Sequence, residues 1–190
     1  HQNVSHLAAH FAGFRDLMGD YLSAERVAVF ERLFVGLDSL LANRLRVSNT
    51  TLLHSDSHFW NFLYANDGDP ARCVIFDWPL WRTGLAGSDL AYMIALHLYP
   101  EHRRRFEPVL LDTYTRSIRD QGVNTTRAGV QLDYRIGVLI GLLMPVMEYT
   151  WGIAPHDWIP KMEKAFAAFE DLDCRELLDG DSGSGERVQT

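Results

Sequence analysis

The sequence predicts an α+β fold that is mainly α, with helices arranged around a small β-hairpin region. Three observations predict it. Apolar residues recur every three or four positions before Leu41 and again after Ser88. Between these stretches, Thr50-Thr51-Leu52-Leu53, Phe62-Leu63-Tyr64 and Cys73-Val74-Ile75-Phe76 are short runs of strand character. Asn66-Asp67-Gly68-Asp69-Pro70 is a strong turn signal, so the second and third runs are expected to pair as a hairpin.

Two amphipathic helices open the chain. Ser5 can cap the first, with Leu7, Phe11, Phe14 and Met18 on one stripe, and Ser23 the second, with Val27, Phe30, Phe34, Leu37 and Leu41 in step. After the β region, Ser88 can cap a helix that stops before Pro100. The next runs from about Glu101 to Asp120, can kink at Pro108 and ends at Gly122. Thr125 or Thr126 can cap a long apolar helix reaching Tyr149 with a kink at Pro145, and a last helix near Asp157 to Leu172 carries Met162, Phe166 and Phe169. Gly180 to Thr190 is rich in Gly, Ser and Asp and reads as a disordered tail.

The 190 residues have room for one domain or one large lobe, and 47% apolar content promises a sizeable core. A net charge of -7 argues against a general nucleic-acid binder, which needs surplus Lys and Arg to neutralise phosphates. The basic cluster Arg103-Arg104-Arg105 reads as a solvated helix start, with an anion-binding patch as the other reading. Cys73 and Cys174 form no CxxC pattern, which points to a reducing cytoplasm, and Cys73 reads as a small buried hydrophobe. The apolar run Ile136 to Met147 is too short to span a bilayer, so no membrane partner is expected. The first residues show neither a signal-peptide pattern nor an initiator Met, which suggests a fragment or a processed chain.

Asp56 and Asn61 lie five apart in a loop bracketed by short strands, and Asp77 ends the next strand, where a hairpin would return it beside the loop. One carboxylate to take a proton and two oxygen ligands for a divalent cation are what phosphoryl transfer to a hydroxyl requires. The protein-kinase signature has the same logic: a loop Asp, an Asn five later, then a second Asp on magnesium. Singly, each residue has a plainer reading. Asp56 and Asn61 can be turn residues, Asp77 a strand cap, His54 and His58 ordinary histidines, and Trp60, Trp78 and Trp81 packing around the hairpin.

The motifs together are more specific. His54-Ser55-Asp56 with Asn61 resembles the H-G-D-x-x-x-x-N loop of aminoglycoside phosphotransferases, Ile75-Phe76-Asp77-Trp78 their metal-binding aspartate segment, and Gly87-Ser88-Asp89-Leu90-Ala91 the D-L-A element that follows it. Order and spacing look closest to the families that include choline and ecdysteroid kinases. The similarity covers about residues 20–170, and its specific part is Leu53 to Met93. The resemblance implies the C-terminal lobe of a protein-kinase-like fold, using ATP and Mg2+ to phosphorylate a hydroxyl on a small molecule. It implies Asp56 as catalytic base, Asn61 and Asp77 as Mg2+ ligands, His54 as the group that orients the loop, and Asp89 as a support for its backbone. Ser55 replaces the common Gly, and a left-handed backbone there would cost a serine about 1 kcal/mol. His58 receives no role. The later helices build acceptor pockets in this family, here including Glu148, Trp151, Asp157 and Trp158, whose acidic and aromatic groups would suit a cationic or amphipathic acceptor.

Kinases of this type also need a phosphate-covering loop and a strand lysine. The chain has two lysines, Lys161 and Lys164, both in the last predicted helix, and its densest glycines lie in the tail. The expected organisation is therefore a kinase-like lobe over residues 1–178 and a tail over 179–190. A nucleotide-gripping lobe of about 100 residues is expected to precede them in the intact protein, and the chain alone is expected to have little activity. Two other classes stay open: a non-catalytic binding lobe, and a metal-dependent hydrolase using His54, Asp56 and His58.

Overall fold

The structure, a computed structural model, describes residues 4–46 and 49–179, with Pro70 described by its backbone alone. The expected tail lies outside the described residues from residue 180 onward. The chain is mostly helical with short antiparallel strands, and it divides into two compact units. His1–Arg44 with Leu142–Thr190 form a helical unit, and Leu45–Gly141 form a loop unit.

In the helical unit, α1 (Val4–Met18) buries Leu7, Phe11, Phe14 and Met18, the stripe its periodicity predicts. It is already helical at Val4, so Ser5 lies inside the helix and not at its cap. Ser23 does cap α2 (Ala24–Arg44), its Oγ accepting the Arg26 N–H at 3.3 Å. The buried face of α2 is Val29, Phe30, Leu33 and Leu37, rotated from the expected stripe so that Val27 and Phe34 are half-buried. The short α6 (Met144–Thr150) packs on α1 and on α7 (Pro155–Asp171), and α8 (Arg175–Asp179), which the sequence reading did not foresee, packs on α2.

Aromatic rings fill this core. Phe14 meets Phe30, Tyr149 and Trp158 at ring separations of 6.0, 5.8 and 5.3 Å, and Phe30 meets Phe166 at 5.8 Å. Each such buried ring is worth about 1.5–3 kcal/mol over leaving it in water. Gly13 allows the close approach of α6: a Cβ there would lie 2.6 Å from the Tyr149 hydroxyl. Arg26 closes the rim, with a forked pair to Glu163 at 2.5 and 2.7 Å and its guanidinium over the Phe166 ring.

In the loop unit, β1 (Thr50–Leu53) pairs antiparallel with β4 (Arg82–Leu85), Leu53 opposite Arg82. The sequence reading did not foresee β4. β2 (Phe62–Leu63) pairs antiparallel with β3 (Val74–Ile75), the expected hairpin, with Phe62 opposite Ile75. Then come α3 (Gly87–Ala91), a π-helical turn (Tyr92–Leu96), α4 (Pro100–Asp120) and α5 (Arg127–Leu142), whose last residue belongs to the helical unit. Ser88 sits inside α3, Pro100 opens α4 at its first turn, and Thr126 caps α5, its Oγ1 accepting the Gly129 N–H at 3.0 Å. Glycines let α3 and α5 touch. A Cβ on Gly87 would lie 1.9 Å from the Asp133 carbonyl oxygen, and one on Gly137 would lie 2.1 Å from that of Gly87.

Three expectations need correction. Arg103 is not solvated: it is 1% exposed and donates to Glu107 at 2.7 Å, and Glu107 also accepts the Tyr134 hydroxyl at 2.8 Å. The i,i+4 spacing stacks Arg103 and Glu107 on the helix stripe that Leu111 and Thr115 bury, so pairing makes the charge tolerable there. Trp60 and Trp81 are largely exposed, because two-residue strands offer too little face to cover an indole. Trp78 does pack at the hairpin, donating its indole N–H to the Ile75 carbonyl at 3.0 Å with its ring 4.7 Å from that of His54. Cys73 is half-buried, not buried. The helical stretch also outruns the apolar run: with α6 it reaches from Arg127 to Thr150, long and apolar enough to cross a membrane by length and composition. Its most apolar window is 72% buried, the mark of a core helix.

Candidate active site

The loop between β1 and β2, residues 54–61, is fastened at its base by Asp89 from the first turn of α3. One carboxylate oxygen accepts the His54 N–H at 2.6 Å and the other the Ser55 N–H at 2.9 Å, while the Asp89 carbonyl accepts the Ser57 hydroxyl at 2.9 Å. Charge-assisted bonds to two successive amides lock the backbone where the chain leaves β1.

His54 is 3% exposed and works as a brace. Its Nε2 donates to the Phe76 carbonyl at 2.8 Å, and its Nδ1 accepts the Asp56 N–H at 3.3 Å. Those partners set the neutral tautomer with the proton on Nε2. Both nitrogens are committed, so this ring has no lone pair to offer zinc, and the hydrolase reading loses one of its three donors. Among the described residues no three His, Cys, Asp or Glu side chains gather as a metal cluster.

Ser55 stands at φ 68°, the left-handed conformation for which Gly is the easier residue. Its hydroxyl accepts from Arg82 Nε at 3.0 Å, a bond that a glycine lacks. Burial pulls the Arg82 pKa below its ordinary value, and the Asp89 charge pushes the other way.

Asp56 projects from this locked turn. Its Oδ1 accepts the Tyr92 hydroxyl at 2.9 Å, and its Oδ2 accepts Asn61 Nδ2 at 3.2 Å and lies 3.5 Å from His58 Nε2. Asn61 is 4% exposed, and its Nδ2 also donates to the Asp56 carbonyl at 2.8 Å. With the amide nitrogen turned on Asp56, Oδ1 is the branch left for a cation. The Asn61 carbonyl accepts the Phe76 N–H at 3.1 Å, extending the β2–β3 ladder by one rung. Asp77 therefore follows directly on a residue tied to both Asn61 and His54. It is exposed, at φ 66°, where the chain turns out of the strand. The hairpin thus presents Asn61 and Asp77 from one end, two hard oxygen donors of the kind Mg2+ takes alongside phosphate oxygens.

His58 points one nitrogen at Asp56, while its Nδ1 is buried without a hydrogen-bond partner among the described residues. Its ring lies 5.6 Å from Trp60 and 5.7 Å from His97. The sequence reading missed Tyr92, Arg82 and His97. A signal for Tyr92 existed: three residues after Asp89, it falls on the same helix face. Of the residues expected to line an acceptor pocket, Trp158 is 0% exposed, packs on Phe14 and donates to the Ile153 carbonyl, and Glu148 is buried against Lys161. Both are core groups, while Trp151 and Asp157 are exposed.

No curated protein and no solved structure matches the chain. The model of the ecdysteroid kinase-like family matches residues 10–124, more than half of the 190 residues and all of the loop, hairpin and α3 just described, and the chain belongs to that family.

Proposed function

We propose that the chain is the catalytic portion of an ATP-dependent kinase that phosphorylates a hydroxyl group of a small molecule. The observation that carries the reading is the Asp56 carboxylate held by Tyr92 and Asn61 on a loop clamped by Asp89, one hairpin rung from Asp77. Asp56 orients the acceptor hydroxyl and takes its proton as the acceptor oxygen bonds the γ-phosphorus and the bond to the leaving diphosphate breaks. Asn61 and Asp77 would hold Mg2+, which when bound neutralises charge on the phosphates. His54 and Asp89 keep the loop rigid, so that little of the reaction barrier goes into arranging the base.

On this reading a nucleotide lobe of about 100 residues supplies the phosphate-covering loop and strand lysine. Lys161 is committed to Glu148, and the second lysine, Lys164, lies on the same helix. The exposed row of Val74, Ile75, Phe76, Trp78, Leu80 and Trp81 is the apolar face such a lobe and the nucleotide base would cover.

The scarcity of lysine also favours a second reading, a non-catalytic binding lobe. Asp56→Asn in the protein carrying its nucleotide lobe separates the two. A loss of kcat of roughly 100-fold or more is expected for a general base, and retained phosphorylation would remove Asp56 from that role. Calorimetry of this chain with ATP tests the lobe requirement: weak binding is expected, and tight magnesium-dependent binding would overturn it.

A further inference from the structure

The helix after the β region grips the loop twice. Asp89 holds its backbone, and one turn later Tyr92, 8% exposed, holds the Asp56 side chain through its hydroxyl. Tyr92 is also the first residue of the π-helical turn Tyr92–Leu96, a rare geometry that recurs at functional sites. His97, five residues on, donates from its Nδ1 to the Tyr92 carbonyl at 2.7 Å, and the two rings lie 4.7 Å apart. The tyrosine is thus fixed at its backbone and on its ring face. The His97 ring also lies 5.7 Å from that of His58 and 6.4 Å from that of Trp60.

We propose that Tyr92, braced by His97, is a positioning residue that sets the orientation of the Asp56 carboxylate. By occupying Oδ1 at 2.9 Å it leaves Oδ2, whose contacts with Asn61 and His58 are longer, to face the acceptor hydroxyl. The role in transfer rests on the kinase reading; the hold on the carboxylate stands apart from it. Phenylalanine at this position keeps the ring and its packing and removes only the donor, so it separates positioning from folding.

The test has two arms. In protein labelled with 13C at the tyrosine ζ carbon, the Tyr92 resonance is the one lost in Tyr92→Phe. It should move in Asp56→Ala while the other tyrosine resonances stay; an unmoved Tyr92 resonance overturns the proposal. In phosphotransfer assays of the protein carrying its nucleotide lobe, Tyr92→Phe should lower kcat roughly tenfold with the acceptor KM within about twofold and the melting temperature little changed. A loss confined to KM, or one that tracks a fall in melting temperature, overturns it too. A wild-type protein carrying its nucleotide lobe that transfers no phosphoryl group while its Tyr92 resonance still follows Asp56 sinks the kinase reading and upholds Tyr92 as the holder of the carboxylate.

Discussion

Aromatic side chains do opposite work in the helical unit and around the β2–β3 hairpin of the loop unit. In the helical unit Phe14, Phe30, Trp158 and Phe169, from α1, α2 and α7, are fully buried, with Phe14 in ring contact with Phe30 and Trp158. Around the hairpin Trp60, Tyr64 and Trp81 are largely exposed beside two-residue strands. The same residue types face inward where a helix of three or more turns presents a stripe, and outward where the backbone is committed to holding Asp56, Asn61 and Asp77. Of the three non-glycine residues at positive φ among the described residues, two, Ser55 and Asp77, sit at the site, and the third, Asp173, follows α7 in the helical unit. Packing density stabilises one region; the other keeps apolar surface and strained backbone available for ligands.

The sharpest way to break this contrast is to remove one ring from each side. Phe14→Ala should lower stability by about 3–5 kcal/mol, because its site is closed on every side and cannot collapse. Trp81→Ala, 60% exposed in the native chain, should stay within about 0.5 kcal/mol. Urea denaturation of both variants gives the comparison, and similar losses would mean that the loop unit is packed like the helical one.

A smaller effect is expected where the loop is fastened. Asn at position 89 offers one acceptor oxygen in place of two and turns an NH2 toward a backbone N–H, so Asp89→Asn should cost about 1–3 kcal/mol. Amide exchange at His54 and Ser55 should quicken, with amides of α1 unchanged. Protection retained at both residues would show that Asp89 is not the clamp.

The finest difference concerns the left-handed serine. Ser55→Ala and Ser55→Gly both lose the bond from Arg82, but only glycine relieves the backbone. The glycine variant should therefore be the more stable of the two by about 1 kcal/mol, the reverse of their order inside a helix. Equal stabilities would remove strain from the account of this loop.

Much of the site is legible in the sequence because its parts are local. Asp56 and Asn61 share one loop, the turn at Asn66–Pro70 announces the hairpin, and a D-L-A element after a strand marks the clamp. Tyr92 was harder to see, since a tyrosine on a helical stripe usually belongs to the core and nothing in its neighbours reports a π-helical turn. Arg82 required β4, and β4 has no strand signature of its own: Arg-Thr-Gly-Leu extends because β1 is there to pair with it.

Periodicity and turn chemistry by themselves determined that helices flank a short hairpin on both sides in the chain, and motif order that the hairpin region carries an Asp, an Asn and a second Asp. Those are properties of neighbours in the chain, and hydrophobic spacing records them directly. Tertiary structure decided which charges go inside, as with Glu107 accepting the Tyr134 hydroxyl, which tryptophans stay out, and which hydroxyl reaches Asp56. Each of those depends on groups 20 or more residues apart, or on the amount of surface a neighbouring element can cover, and a linear pattern holds no record of either.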